Sequence, residues 1–251
     1  MLIHGAEMEV APDLRPAFAG LARPRDVIAR WGPGVPPGGA RSAVRELALP
    51  QGRFFLKVYA YSGLWRLRTV FIAARAGREF RNLKRMAALG FRVPEAAAWG
   101  QERTLGFVGT SFVLTRAIEG AVDLRSVIDR PGSAPLPPSG ERRRLIGEFA
   151  RTLRRAHEER FFIHTLRAKN LLLGREGDRW ALHVIDVPFA GIGRYRLFPG
   201  WGRVRDLAVL MRWARQLLSR PDRMRFARAY GADRALLRKA QAYQERHYPN
   251  C

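Results

Sequence analysis

The stretch that decides the fold runs from residue 157 to residue 173, HEERFFIHTLRAKNLLL, and VIDV follows it at residues 184–187. The pattern of the first stretch predicts a helix end, a loop and an apolar strand, and the second predicts a short partner strand. The turn-forming residues 174–178 lie between the strands, so the pair is predicted to form a hairpin. Asn170 and Asp186 then stand at its tips, where their oxygen atoms can coordinate magnesium. Either residue could instead simply cap a turn.

An earlier segment, RFFLKVY at residues 53–59, places Lys57 in the middle of an apolar strand. A buried ammonium group is costly unless an anion meets it. Glu79 follows in a segment with helical periodicity. A strand lysine paired with a helix glutamate, with the lysine also touching phosphates, is how kinases hold ATP. Alone the pair is weak, because an isolated lysine is also common on an edge strand.

The order of the predicted elements indicates the fold class. Strands dominate the first part of the chain and helices the second, which predicts an α+β protein of two unequal lobes, an N-lobe at residues 1–117 and a C-lobe at residues 118–251. The predicted strands are at residues 42–49, 53–59, 91–100, 106–115, 170–173 and 182–185. The predicted helices are at residues 24–31, 64–89 with a break near Gly77, 123–128, 139–157 and 207–218, with shorter ones up to residue 243.

Composition narrows the class of partner. The 251 residues include 45 Lys and Arg against 22 Asp and Glu, a net charge of +23, so nucleic acid, an anionic membrane or a phosphorylated glycolipid would be attracted. The basic residues are spread through the chain without an aromatic-interleaved stripe, which argues against nucleic acid. The arginine-rich segment WRLRTVFIAAR at residues 65–75 could lie on an anionic bilayer or pack on the small lobe.

The chain shows no secretory signal at its start, and no stretch approaches the roughly 18 to 20 apolar residues of a membrane-spanning helix. Its single cysteine, Cys251, excludes an internal disulfide. We therefore expect a cytoplasmic protein, peripheral on the inner face of the cytoplasmic membrane if its substrate is a lipid.

Taken in order, these segments resemble the lipopolysaccharide-core kinase family, the Kdo and heptose kinase type, which has a small protein-kinase-like fold. The likeness extends over residues 40–248. The segments that carry it are FFLKVY at 54–59, REFRNLKRMAALGFRVPEAAAWG at 78–100, EGAVDLRSVI at 119–128, LRRAHEERFFIHTLRAKNLLL at 153–173, VIDV at 184–187, VRDLAVL at 204–210, MRFARAY at 224–230 and KAQAYQERHY at 239–248.

The resemblance implies a kinase that uses ATP and Mg²⁺ to phosphorylate a sugar hydroxyl of the lipopolysaccharide inner core or of a related glycolipid. Lys57 and Glu79 would hold the nucleotide phosphates, and Asn170 and Asp186 would hold the metal. Asp206 stands where the family has an aspartate that braces the catalytic loop. Residues 38–42, GGARS, are a weak candidate for the loop that covers the phosphates.

The chain departs from the family at the catalytic aspartate. Counting back five residues from Asn170, this position holds Thr165, and Ile163 replaces the histidine two residues before it. His164 lies between them, and Arg167 occupies the basic position two residues after. Loss of a general base typically lowers a rate by about 10²- to 10⁴-fold. A threonine hydroxyl cannot replace a carboxylate as a base, whereas His164 can, unless it is only a loop histidine bonded to the backbone.

Three functions are compatible with this sequence. The first is an active kinase, in which His164 or a substrate group accepts the proton. The second is a pseudokinase that binds nucleotide, or only keeps the fold, and acts as a regulatory or scaffolding partner of another protein. The third is an anion-binding module explained by charge alone. Retention of all four nucleotide and metal residues favours the first.

Overall fold

The computed structural model describes residues 5–34, 40–191 and 198–248. The chain folds into two compact units. Unit 1 comprises Met1–Lys84 and Pro94–Ala117, and unit 2 comprises Arg85–Val93 and Ile118–Cys251. Residues 85–93 thus belong to unit 2, although they precede the boundary expected between residues 117 and 118. They contact unit 2 directly: the Phe91 ring lies 6.0 Å from the Phe149 ring, edge to face.

Unit 1 contains a five-stranded antiparallel sheet with the order β1-β4-β5-β3-β2. The strands are β1 (Gly5–Val10), β2 (Ala40–Leu49), β3 (Gly52–Tyr61), β4 (Ala96–Thr104) and β5 (Phe107–Arg116). Alternate residues of β3, namely Phe54, Leu56 and Val58, are fully buried in a cluster with Phe112 and Leu114 of β5. This alternation fixes which face of β3 meets the core, because side chains in a strand point to opposite faces in turn.

The helices of unit 1 are α1 (Pro24–Trp31), α2 (Leu64–Leu67) with a following 3-10 turn (Arg68–Val70), and α3 (Arg75–Ala88). The chain therefore breaks at residues 71–74, and the predicted break near Gly77 is wrong. Gly77 lies inside α3, where a Cβ would come within 2.8 Å of the Trp99 ring. A glycine here allows the helix to approach that ring closely, so it marks a packing contact and not a helix end.

Unit 2 is mainly helical. Its helices are α4 (Leu124–Asp129), α5 (Ser139–Glu158), α6 (Pro199–Leu217), α7 (Arg220–Tyr230) and α8 (Arg234–His247), and its small antiparallel sheet has the order β6 (Val122–Asp123), β7 (Leu171–Glu176), β8 (Arg179–Val184). Asp123, Ser219 and Asp233 cap α4, α7 and α8 through their side-chain oxygens. Such caps satisfy N–H groups that a helix N-terminus leaves unpaired.

The predicted α+β class is confirmed, and so are the hairpins β2–β3 and β7–β8. Two strands were missed. β1 (GAEMEV) is short, and its partner β4 lies about ninety residues away in sequence; β6 has only two residues. The strand expected at residues 91–100 begins at Ala96, and the turn after it lies at Leu105 and Gly106.

Two glycines near the start of α6 provide a test of the packing between α6 and the loop after α5. At Gly202 a Cβ would come within 2.5 Å of the buried Phe162 ring, whereas at Gly200 nothing lies within 4 Å. We expect Gly202→Ala to lower the free energy of unfolding by about 1–3 kcal/mol, because the ring must move. Gly200→Ala should be neutral, or stabilising by up to about 1 kcal/mol. Denaturant unfolding of the two variants measures both; equal effects would contradict the contact.

Candidate functional site

Lys57 and Glu79 form a buried ion pair in unit 1. Lys57 Nζ lies 3.3 Å from Glu79 Oε2 and 3.4 Å from Oε1, and the two side chains are 16% and 5% exposed. The Tyr59 hydroxyl donates a short hydrogen bond to Oε2 of the same carboxylate. The Tyr59 ring also lies 5.1 Å from the ammonium group. The predicted pair is therefore brought together, with a tyrosine that the sequence analysis did not identify as its third member.

The position of β3 in the sheet decides between the two interpretations of Lys57. β3 lies between β2 and β5, so Lys57 has Val44 on one side and Val113 on the other. It is not an edge-strand lysine, and the edge-strand interpretation is wrong. A largely buried ammonium group in a central strand needs an anion, and Glu79 supplies it.

In unit 2 the carboxylate of Asp206, on α6, organises the loop that follows α5. Its Oδ2 accepts the backbone N–H of Ile163 at 2.7 Å, and its Oδ1 accepts that of His164 at 2.7 Å. The ring of His157, at the end of α5, lies 3.1 Å from Oδ2 through Nε2. Asp206 is fully buried. The position expected to brace the catalytic loop thus does contact it, through two consecutive backbone N–H groups.

The electrostatics of this group explain how a buried carboxylate stays ionised. Burial by itself would raise the pKa of Asp206, but the hydrogen bond from His157, the charges of His157 and His164 and the Ile163 N–H together lower it below its ordinary value. Burial raises the pKa of Tyr230 to about 12. The neutral Tyr230 hydroxyl lies 2.7 Å from His157 Nδ1.

Thr165, which the sequence analysis expects at the position of the catalytic aspartate, uses its hydroxyl within the protein. Oγ1 donates to the backbone oxygen of Asp186 at 2.9 Å and lies 3.3 Å from that of Ile163. The amide nitrogen of Asn170 donates to the Thr165 carbonyl at 2.9 Å, and the Ile185 N–H donates to the Asn170 carbonyl at 2.9 Å. Thr165, Asn170 and Asp186 are therefore joined in one hydrogen-bonded group.

One residue of this group and the residue that precedes Thr165 have a backbone conformation that non-glycine residues rarely adopt. The φ angle is +65° at His164 and +57° at Asp186. Such conformations cost about 1–3 kcal/mol each and persist only where the surroundings enforce them, which is common at functional sites. At His164 the enforcing contact is the hydrogen bond from its N–H to Asp206, and at Asp186 it is the one from Thr165.

The two other catalytic candidates differ in exposure. The His164 ring is buried, and its Nδ1 lies 3.9 Å from Asp206 Oδ1. Arg167 is exposed, and its backbone N–H donates to the Thr165 carbonyl at 2.7 Å. Of the candidate phosphate-covering segment, Gly38 and Gly39 lie outside the described residues, whereas residues 40–42 begin β2.

Sequence reasoning missed Tyr59, His157 and Tyr230. The signal for Tyr59 is its spacing: it stands two residues after Lys57 on the same strand and therefore on the same face. His157 and Tyr230 lie 73 residues apart, and only the packing of α5 on α7 brings them together. Among the described residues, no group of three or more His, Cys, Asp or Glu side chains could hold a metal ion.

Unit 2 also contains an apolar cavity of about 290 Å³, apart from the group around Asp206. Helices α5, α6 and α7 supply most of its walls. Its apolar lining includes Leu145, Phe149, Leu210, Met211, Ala214 and Phe226. Three arginines also line it, namely Arg142, Arg215 and Arg223. No helix in the described parts of the chain is long and apolar enough to cross a bilayer.

A family model for the lipopolysaccharide kinase (Kdo/WaaP) family matches residues 61–230. The chain belongs to this family. The matched region extends from the end of β3 to the end of α7 and so includes Glu79, Thr165 and Asp206. No curated protein was found to match the chain.

The chain is also similar to proteins of known structure. The chain is similar to WaaP in complex with acyl carrier protein, with a TM-score of 0.67, 22% identity and coverage of 96% of this chain and 97% of that chain. It is also similar to the kinase domain of Mycobacterium tuberculosis PknI, with a TM-score of 0.44, 18% identity and coverage of 84% and 93%. The predicted protein-kinase-like fold is confirmed by the similarity to WaaP.

Proposed function

We propose that the chain is an ATP- and magnesium-dependent kinase that phosphorylates a sugar hydroxyl of the lipopolysaccharide inner core or of a related glycolipid. Membership of the lipopolysaccharide kinase family supports the chemistry. The structural observation that carries the proposal is the hydrogen-bonded group of Thr165, Asn170 and Asp186, held by Asp206. Asp206 thereby holds in one conformation the loop that leads to the proposed metal ligands.

The roles of the residues follow from their chemistry. Lys57 is proposed to contact the nucleotide phosphates, with Glu79 and Tyr59 holding its ammonium group in position. Asn170 and Asp186 supply oxygen atoms, the ligand type that Mg²⁺ prefers, and the amide nitrogen of Asn170 is already committed to Thr165. Two protein oxygens suit a metal that takes its remaining ligands from phosphates and water. Bound magnesium neutralises charge on the phosphate oxygens during transfer.

Because position 165 holds a threonine, a group other than a loop carboxylate must accept the proton of the acceptor hydroxyl. The Thr165 hydroxyl donates to backbone oxygens, and the buried His164 ring faces Asp206, so we propose that a substrate group accepts this proton. The acceptor oxygen forms a bond to the γ-phosphorus, the bond to the bridging oxygen breaks, and ADP leaves. Transfer depends mainly on positioning and electrostatics, so we expect a rate lowered by about 10²- to 10⁴-fold, not an absent one.

Nucleotide binding is the first expectation to test. ATP with Mg²⁺ at a hundredfold excess over its Kd should stabilise the protein by about 2.7 kcal/mol, measured as a thermal shift of roughly 5–10 °C. Lys57→Ala and Asp186→Ala should each abolish the magnesium-dependent shift, because they remove a phosphate contact and a metal ligand. Lys169→Ala, at an exposed lysine next to Asn170, is the matched control and should keep it. Shifts of equal size in all three variants would contradict the assigned site.

The missing carboxylate gives a gain-of-function test. We expect Thr165→Asp to raise phosphate transfer to core glycolipid by at least about tenfold, since a general base contributes about 10²- to 10⁴-fold. An asparagine has nearly the same shape as an aspartate but cannot act as a base, so Thr165→Asn should give no gain in transfer. The measurement is ³²P transfer from labelled ATP at saturating nucleotide. If both variants bind nucleotide and neither transfers phosphate, the chain is a pseudokinase and the proposed activity is wrong.

We also propose a protein partner, an acylated acyl carrier protein. The support is the solved WaaP complex with acyl carrier protein, together with the apolar cavity of unit 2. Its volume of about 290 Å³ is near the lower end of ligand pockets and suits an acyl chain better than a polar ligand. The lining residues Arg142, Arg215 and Arg223 fit a partner whose acyl chain is carried on a phosphate-containing arm.

Filling the cavity tests this partner. Ala214→Phe adds a ring within the lining and should weaken binding of acylated acyl carrier protein by at least about tenfold, because the ring competes for the space of the acyl chain. Ala242→Phe, at an exposed position of α8, makes the same change in composition and should have no effect. Titration calorimetry with acylated and non-acylated carrier measures both. Equal affinities of the wild type for the two carriers would contradict the proposal.

A glycolipid acceptor also requires the chain to work at a membrane surface. Its net charge of +23 favours an anionic one. We propose a peripheral location on the inner face of the cytoplasmic membrane.

A further inference from the structure

In the connection between β3 and α3, large apolar side chains are exposed and a polar side chain is buried, which is the reverse of the usual arrangement. Residues 62–68 are all exposed, and Thr69, the first buried residue of the connection, is polar. Large apolar side chains are exposed instead, Leu64 by 77% and Phe71 by 89%. We call the exposed group Leu64, Trp65, Leu67, Phe71, Ile72 and Leu105 the apolar face. Scattered exposed apolar residues are ordinary, but a concentration of this size marks an interaction site.

The segment is firmly attached to the sheet of unit 1, so the exposure does not reflect a loose loop. Thr69 Oγ1 accepts the backbone N–H of Val108 at 2.9 Å and donates to the Arg66 carbonyl. The Arg103 guanidinium donates to the carbonyls of Thr69 and Gly106, both at 2.9 Å. These bonds fix the 3-10 turn against the β4–β5 hairpin, whose tip carries Leu105, 65% exposed. The apolar face is thus presented by an ordered scaffold.

The charges around the apolar face have one sign. From residue 62 to residue 78 the sequence contains four arginines and no aspartate or glutamate. Arg68 lies over the Trp65 ring at 5.1 Å, and Arg66 lies over the Phe107 ring at 5.8 Å. Exposed apolar tips bordered by arginine and tryptophan are typical of surfaces that enter the boundary between lipid headgroups and acyl chains.

We propose that the apolar face is a membrane-docking site for a bilayer rich in anionic lipids. Leu64, Leu67 and Phe71 would enter the acyl boundary, and Arg66 and Arg68 would meet the headgroup phosphates. An anionic bilayer fits better than a protein surface because the segment contains no carboxylate and its large exposed side chains are apolar or positively charged. The site lies wholly within unit 1, and its docking does not require the chain to transfer phosphate.

Sedimentation with sucrose-loaded vesicles tests the site in the full chain. Vesicles of phosphatidylcholine with about one third phosphatidylglycerol should bind the protein, and vesicles of phosphatidylcholine alone should bind it at least about tenfold more weakly. Leu67→Ser/Phe71→Ser should weaken binding to the anionic vesicles by at least about tenfold. Arg66→Gln/Arg68→Gln should weaken it by roughly twenty-five-fold, about fivefold for each arginine near the surface.

Matched controls separate this face from the charge of the whole chain. Val44→Ser removes an exposed apolar side chain of the same unit, and Arg143→Gln/Arg151→Gln removes two exposed arginines of α5; both variants should bind like the wild type. Thermal unfolding verifies that each variant is folded. Binding lost equally in the α5 variant, or kept in the serine variant, overturns the proposal. So does a serine variant that keeps vesicle binding but loses acyl carrier protein, because the face would then be a protein interface.

Discussion

Asp206 is the residue on which the loop after α5 depends. It accepts the N–H groups of Ile163 and His164, and the His157 ring completes its coordination. Removing a carboxylate from water is expensive, and these donors offset that cost. Because they come from the end of α5 and from the loop itself, the ionised group fixes where the helix ends and where the loop begins. The unusual backbone of His164 follows from this constraint.

The loop after α5 is ordered although position 165 holds no carboxylate that could accept a proton. Thr165 has no carboxylate, yet its hydroxyl and carbonyl connect Asp186 and Asn170. A side chain that hydrogen-bonds the backbone can keep these residues together without acting as a base. In the same way, Lys57 keeps its partner Glu79, and Tyr59 adds a second donor to that carboxylate. The groups proposed to bind nucleotide are thus held in place without a carboxylate at position 165.

Much of this could be predicted from sequence, and the failures have physical causes. Strand periodicity and turn residues located β3, β7 and β8, and local pattern and spacing located Lys57 and Glu79. The family resemblance located Asp206. The roles of His157 and Tyr230 depend on packing between helices distant in sequence. The helix break near Gly77 was predicted wrongly because the sequence does not distinguish a glycine that allows close packing, here against Trp99, from a glycine that ends a helix. The burial of His164 likewise required coordinates, since a histidine in a loop can face either way.

The apolar face lies on the connection between the strand that carries Lys57 and the helix that carries Glu79. β3 ends at Tyr61 and α3 begins at Arg75, and the hydrogen bonds of Thr69 and Arg103 attach the segment between them to the sheet. Because this attachment is firm, a bilayer that holds the apolar face would also hold β3 and α3, and with them the Lys57–Glu79 pair, in one orientation to its surface. A nucleotide bound at Lys57 would then lie close to the headgroups, where a lipid-borne acceptor is found.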